Sequence, residues 1–530
     1  MGHGVALALV IFALRAASSL VSARCPYAAS GGIGALGAAP ARFSGRRLQQ
    51  DPNSPVVMAP PVCELLNEGE LPSNDPGRLC DVFQAIYLTL SEMWAGATNG
   101  EKAGIMGQSV RISFHDPAEF DRASNDNRGP DGCLCTSPGC GSEGLIEADS
   151  LIFTDQEPLW QLWCDVVGRA DFWNMYARAA MEISEAESAY RLGYTRVLPE
   201  LLETRYGRKD ATGFDCDVSR RLPDAMCADS KLNFVDALGL TAADGVALIG
   251  GGHTVGNTNP SVSGFGPVVP TESDPNPPQS TGQWVEGNWL FNNEFFSGSL
   301  LQGNWHMDGV SDNPEPGATQ QWVEIITIDG SPETRGVAVP NCESGQGPCG
   351  SLKGFNLLNA DLALAFDVYN QQTNGGDGTT TPVFIWQNRT DNPTNIFPQP
   401  TCEATTGPEN SSPGAQDTPV ICGGEENTCS RNMQFKEQID SYANATDASN
   451  MRFLNDFASA WNRVVVVGYG GGLGLDGKLD TRLGAVLPIL DVSQCRAPLP
   501  DFEAIIGTPG GGAPAPAPAP APEPAAATQP

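Results

Sequence analysis

Apolar residues recur at helical spacing in a few separated stretches of this chain, and the sequence between them is built for turns. Asp81–Trp94 carries Val82, Ala85, Ile86, Leu88 and Leu90. Ala170–Ile183 is rich in helix formers, and Phe453–Val464 repeats its apolar residues at intervals of three and four. Thr241-Ala-Ala-Asp244 reads as a capping-box start for a helix through Val246-Ala-Leu-Ile249. The stretches 257–288, 309–354 and 370–432 are rich in Pro, Gly and Asn. With 60 Gly and 43 Pro in 530 residues, they read as long loops. The prediction is a mostly α-helical domain with large loop insertions.

The ends of the chain read differently. Val5–Leu14 is an apolar run of signal-peptide length, and Val21-Ser22-Ala23 is a suitable cleavage site. Residues 1–23 are therefore expected to be a signal peptide and 24–55 a propeptide or linker. The latter holds Arg24, Arg42, Arg46 and Arg47, with no acid from 24 to 50. Secretion to the cell exterior or wall is the expectation. The alternative is an organelle reached by a signal plus transit segment. The domain spans 56–506, and the Ala-Pro repeats of 507–530 form a disordered tail that builds no core. No later segment reaches the length of a membrane span.

Fifteen cysteines accompany only four histidines, His3, His115, His253 and His306, and no C-x2-C pair occurs. Zinc sites of mixed Cys and His type need more histidine, so disulfides are the stronger reading. Sequons at Asn388, Asn410 and Asn444 agree with a secretory route. The formal charge of -32 repels nucleic acid and anionic membranes.

Two segments carry chemistry. In Arg111-Ile-Ser-Phe-His115-Asp116, a helix would put Arg111 and His115 on one face, a permanent cation beside a proton-shuttling ring. The same residues also alternate as a strand would, so the local pattern leaves both open. In Leu248-Ile-Gly-Gly-Gly-His253-Thr-Val-Gly256, three glycines remove side chains where a flat cofactor would need close approach. Taken singly, each segment also reads as an ordinary structural histidine.

Together, and in this order, they resemble the distal and proximal segments of the plant-type haem peroxidase superfamily. Gly207-Arg208-Lys-Asp210, Arg221-Leu-Pro-Asp-Ala225, Trp284-Val-Glu-Gly-Asn-Trp-Leu-Phe-Asn-Asn-Glu-Phe-Phe296 and Leu358-Asn-Ala-Asp361 follow the family's pattern. The run from Trp284 is similar to the cytochrome c peroxidase branch; other features are similar to the secreted fungal branch. The resemblance covers about 75–465.

The resemblance implies a two-layer all-helical fold around haem b, with hydrogen peroxide as substrate and a small molecule or protein as electron donor. His253 would be the axial ligand and Asp361 would accept its other ring N–H. His115 would act as base and then acid, Arg111 would stabilise developing charge, and Phe114 would pack over the cofactor. Pro223 would back the distal cavity. Trp284 would stand beside the proximal histidine, where a redox role competes with plain core packing. Asp171 and Arg208 would form a buried ion pair. Asp116, Gly129, Asp131 and Cys133 match the family's distal calcium site, with Cys133 standing where the family has serine. Thr254 could begin a proximal cation site, although Val285, Gly287 and Asn292 offer few oxygens beyond it. Ser142 stands where the family has the asparagine that orients the distal histidine, so His115 is held differently or Glu143 substitutes. The glutamates of a manganese site are absent at Gly104 and Gln108, and His306 reads as structural. Three other readings compete: a non-enzymatic wall protein on a decayed scaffold of this kind, a disulfide-rich binding module without cofactor, and a metallohydrolase using His115, Asp116 and His253.

Overall fold

The computed structural model describes residues 72–124, 127–135, 141–211, 221–222, 231–258, 282–303, 305–308, 321–328, 331–334, 336–337, 353–367, 421–422 and 430–506. Pro223, Asn388, Asn410, the N-terminal segments and the Ala-Pro tail lie outside them. The described chain is mostly helical. Helix α1 is Pro76–Gly96 and α2 is Asn99–Ala118. Helix α3 is Arg169–Leu192, α4 is Ala242–His253, α5 is Asn359–Ala365, α6 is Lys436–Tyr442 and α7 is Asp447–Val464.

Most of these helix starts have an identifiable cap; α6 has no side-chain one. Asp75 accepts the Arg78 N–H before α1, whose first residue is proline. Thr98 and Glu101 close a capping box on α2, and Thr241 and Asp244 close the expected one on α4. Helix α3 begins at Gly168, which has no side chain to offer. The Asp210 carboxylate serves instead, accepting the N–H groups of Arg169 and Ala170.

Helix α3 is buried on all sides from Arg169 to Ser188, so it is the central strut of the fold. Helices α1 and α2 pack along it, while α4 packs along α7. Several of the charged groups that α3 carries inward are paired. Asp171 meets Arg208 at 2.6 Å, Glu182 meets Arg178 at 2.8 Å and Glu187 meets Lys102 at 2.8 Å. A disulfide joins Cys80 in α1 to Cys495, 415 residues away, so the two ends of the described body are covalently closed.

The mostly helical fold expected from the sequence is the one found, and a small antiparallel sheet is set into it. Strands β1 (Trp305–Asp308), β2 (Gln321–Ile328), β3 (Ser331–Thr334), β4 (Asn356–Leu357) and β5 (Ile421–Cys422) form an antiparallel sheet. Its order is β5–β1–β2–β3, with β4 also pairing with β2, and Trp305 lies opposite Glu324. His306 falls in β1. The run Trp322-Val-Glu-Ile-Ile-Thr-Ile328 is rich in aromatic and β-branched residues, which suit a strand, and the surrounding Pro and Gly masked it. No helix among the described residues is long and apolar enough to cross a membrane.

Helix α2 and the turn after α4 meet at two glycines. A Cβ on Gly107 would lie 2.7 Å from the Gly256 Cα, and Gly256 itself has a positive φ of 81°. In an open helix Gly107→Ala would stabilise by about 1 kcal/mol. Here the methyl meets backbone that cannot rotate away. The expected result is a loss of about 1–3 kcal/mol in chemical denaturation, the range for overpacking. A stabilised variant would show that this contact does not set the spacing of the two helices.

Candidate active site

Arg111, Phe114 and His115 all lie on α2, so the strand alternative is excluded. The guanidinium of Arg111 is clamped from two sides. Its Nη1 donates to the Glu143 carbonyl at 2.8 Å and its Nη2 to the Gly141 carbonyl at 2.6 Å. Its Nε donates to His115 Nε2 at 3.3 Å. That assigns the ring proton of His115 to Nδ1, which lies 3.4 Å from Ser142 Oγ. Serine therefore takes the place of the expected asparagine at a long distance. Glu143 contributes its carbonyl to Arg111, and its side chain does not substitute on His115. Burial, and then the charge of Arg111, hold the His115 ring well below the usual histidine value of 6.5. The ring is neutral near pH 7 and Nε2 keeps its lone pair. Phe114 is half-buried and stacks on Phe234 with ring centroids 5.8 Å apart.

His253 is the last residue of α4. Its Nδ1 lies 2.6 Å from Asp361 Oδ1, and Asp361 is fully buried at the start of α5. The second carboxylate oxygen accepts the Leu358 N–H at 2.8 Å, so the aspartate is fixed before it meets the ring. The His253 side chain keeps 26% of its surface accessible, with no hydrogen bond on Nε2 from any of the described residues. Trp284 stacks on the ring, centroids 4.1 Å apart and planes 10° apart, and Phe295 meets it edge-on at 6.3 Å. The expected neighbours of His253 are therefore in place.

The glycines before His253 have divided roles. A Cβ on Gly250 would strike Phe296 at 2.3 Å, and one on Gly251 would strike Phe457 at 2.2 Å. Those two make room for core aromatics. Only Gly252 faces open space, so the reading of all three as cofactor clearance is corrected. Accessible residues recur at helical spacing on both helices: Gly104, Gln108, Arg111 and Phe114 on α2, and Ile249, Gly252 and His253 on α4. From the Gly107–Gly256 contact, each helix thus carries one stripe that other elements cover only in part. An unpartnered imidazole nitrogen on such a stripe, backed by a fixed carboxylate, is a donor set that fits the iron of a flat cofactor.

The expected cation ligands fit less well. Asp116 Oδ1 accepts backbone N–H groups from Asp131 at 3.1 Å, Gly132 at 2.8 Å and Cys133 at 3.3 Å. Burial, then repulsion from Asp131 and Glu119, push the Asp116 carboxyl up, and burial pushes Glu119 up to about 8. Cys133 is disulfide-bonded, so its sulfur is removed from the ligand set predicted for it. The carbonyl expected from Gly129 belongs to a glycine with φ of 148°. Thr254 Oγ donates to the Asn292 carbonyl at 2.9 Å, an intraprotein bond at the expected proximal cation position. Among the described residues, no group of three His, Cys, Asp or Glu side chains is arranged to hold a metal ion.

Fold and site together define a mostly helical protein with two pinned histidines, one beside a clamped arginine and one backed by an aspartate. A family model described as Peroxidase matches residues 91–283. Residues 91–283 are thus similar to that family, which is consistent with the plant-type haem peroxidase superfamily that the chain's motifs resemble. The match spans both histidine segments and ends at the strand before Trp284. No curated protein matches the chain.

Proposed function

We propose that this protein is a haem peroxidase that reduces hydrogen peroxide at the expense of a one-electron donor. The observation that carries the reading is the matched state of its two histidines. Each has Nδ1 occupied, by Ser142 in one case and Asp361 in the other; His115 Nε2 accepts from Arg111 Nε, and His253 Nε2 keeps the lone pair that would meet the iron. His253 would hold the iron of haem b through Nε2. Asp361, accepting the Nδ1 proton, would fix the tautomer and the orientation in which Nε2 faces the iron. Bound haem supplies the redox chemistry that splits the O–O bond and draws electrons from the donor.

The chain's own groups handle the protons. His115 Nε2, neutral and buried, takes a proton from peroxide and returns it to the departing oxygen. Arg111, held by two carbonyls, presents a fixed positive charge to the oxygen on which negative charge grows. Trp284, stacked on His253, fixes the plane of the ring. Hydrophobic cover comes from Phe114. The Cys80–Cys495 disulfide supports delivery to an oxidising compartment, and with it the secretory route.

The test is an absorption titration of the full chain with hemin, followed by one equivalent of hydrogen peroxide. The expected result is one haem per chain with a Soret band that changes within seconds of peroxide addition. In His253→Ala the Soret position should shift and haem affinity should fall, by about 10–100-fold even if only a supporting ligand interaction were lost. A chain that binds no haem, or a haem band that peroxide leaves unchanged, overturns the proposal.

A further inference from the structure

We infer that Asn444 carries an N-linked oligosaccharide, on the bend that joins α6 to α7. Asn444-Ala445-Thr446 is a sequon, the triplet recognised for transfer of sugar to an asparagine side chain. Such triplets are common by chance, and what sets this one apart is its place in the fold. An N-glycan is bulky and hydrated, so a folded chain can carry one only on an exposed asparagine that packs against nothing. All three residues of the triplet are exposed, and they lie outside the regular turns of α6. The Asn444 side chain shares no hydrogen bond with any of the described residues, so a substituent on Nδ2 displaces none. Nor does it cap either helix: Ala443 closes α6 and Thr446 opens α7.

The backbone of the bend is fixed while its side chains stay in solvent. The Asn444 carbonyl accepts from Asn293 Nδ2 and from the Thr446 N–H, both at 2.8 Å. Asn293 Nδ2 also donates to the Tyr442 carbonyl at 2.7 Å, and the Asn293 N–H donates to Asn450 Oδ1 at 3.1 Å. Asn293 and Asn450 are buried, so the bend is tied to the core through its main chain alone. Thr446 has a second duty, since its hydroxyl accepts the Ser449 N–H at 3.3 Å as the cap of α7. Asn444 has none. The transfer forms a bond from Asn444 Nδ2 to the anomeric carbon of the sugar. The bond from that carbon to the diphosphate of a polyprenyl-diphosphate oligosaccharide breaks, and the amide proton leaves with the diphosphate. That donor is met on the secretory route, so the inference rests on the secretion proposed above and not on haem.

The full chain is expressed in a eukaryotic secretory host, and free thiols are alkylated as medium and cells are collected. A proteolytic digest is treated with peptide-N-glycosidase in heavy-oxygen water, which turns a glycosylated asparagine into a labelled aspartate, and is read by mass spectrometry. The expected result is labelled aspartate at position 444 in chains whose Cys80 and Cys495 are bonded to each other. Asn444→Gln and Thr446→Ala should abolish the modification, and Thr446→Ser should keep both it and the helix cap. The thermal midpoint of Asn444→Gln should equal that of the deglycosylated parent, because the side chain has no partner to lose. Unlabelled Asn444 in disulfide-bonded chains overturns the inference. So does a chain found only inside the cell with Cys80 and Cys495 as thiols, since it never meets the donor. Neither outcome touches the peroxidase reading, which the hemin titration decides separately.

Discussion

Replacing His115 by alanine is expected to slow the reaction with hydrogen peroxide by about 10²- to 10⁴-fold, the range for removing a positioned general base and acid. The argument rests on the state of the ring. An exposed histidine would be half protonated near 6.5 and useless as a base below it. Burial and the adjoining Arg111 charge both disfavour the protonated ring, so the His115 value lies well below 6.5. The sign follows. As pH falls from neutral through 6.5 the unmodified protein should keep its rate constant, and lose it only at distinctly more acid pH, where Nε2 takes a proton. Stopped-flow measurement of the second-order constant against pH gives both results. An unmodified profile that bends near 6.5, or a variant as fast as the parent, would remove His115 from the reaction. The Soret band of the variant should stay at its parental position, since His253 is untouched. That control separates a lost base from a disturbed cofactor.

Much of this site was legible because the chemistry sits in short motifs. Arg111 and His115 are four apart and needed only the helix assignment, which the Thr98–Glu101 capping box and the contact with α3 provide. Asp361 is 108 residues from His253 and was reached through family resemblance alone, since no local pattern links them. The Thr241–Asp244 cap was visible as a sequence pattern and closes as expected. The sheet was missed because its strands are short and lie among Pro- and Gly-rich stretches that outweigh the β-branched run at 322–328. The glycines before His253 were legible as a need for space, but not for whose space. Periodicity cannot name Phe296 and Phe457 as the groups that fill it. The same limit hid Glu187. Its one buried carboxylate accepts from Trp94, Lys102, Arg191 and Trp289, which belong to α1, α2, α3 and the segment after α4. Buried charge is set by tertiary partners, and a lysine at position 102 reads in sequence like any surface lysine.

Removing the carboxylate of Asp171 should cost about 3–5 kcal/mol of stability, the usual penalty for leaving a buried charge without its partner. Asp171 and Arg208 are both buried, and their side chains meet at 2.6 Å. Asp171 also accepts the Gly207 N–H at 2.6 Å. Arg208 donates twice to the Val465 carbonyl, at 3.0 and 2.7 Å, and once to the Arg205 carbonyl at 2.8 Å. One ion pair thus joins the first turn of α3, the turn at 205–208 and the end of α7. Asp171→Ala leaves the guanidinium in the core with only neutral carbonyls around it, so urea unfolding should show the full loss. The pair itself is a poor bargain against apolar packing, because burial pushes the Asp171 carboxyl up in spite of the adjoining arginine. Hence Asp171→Leu combined with Arg208→Met should recover most of what Asp171→Ala loses, since no charge is then stranded. Equal losses in the single and double variants would mean that the hydrogen bonds to Gly207 and Val465, and not the charge balance, carry the energy. In that case the helices would be joined here by directional bonds that no apolar pair can imitate.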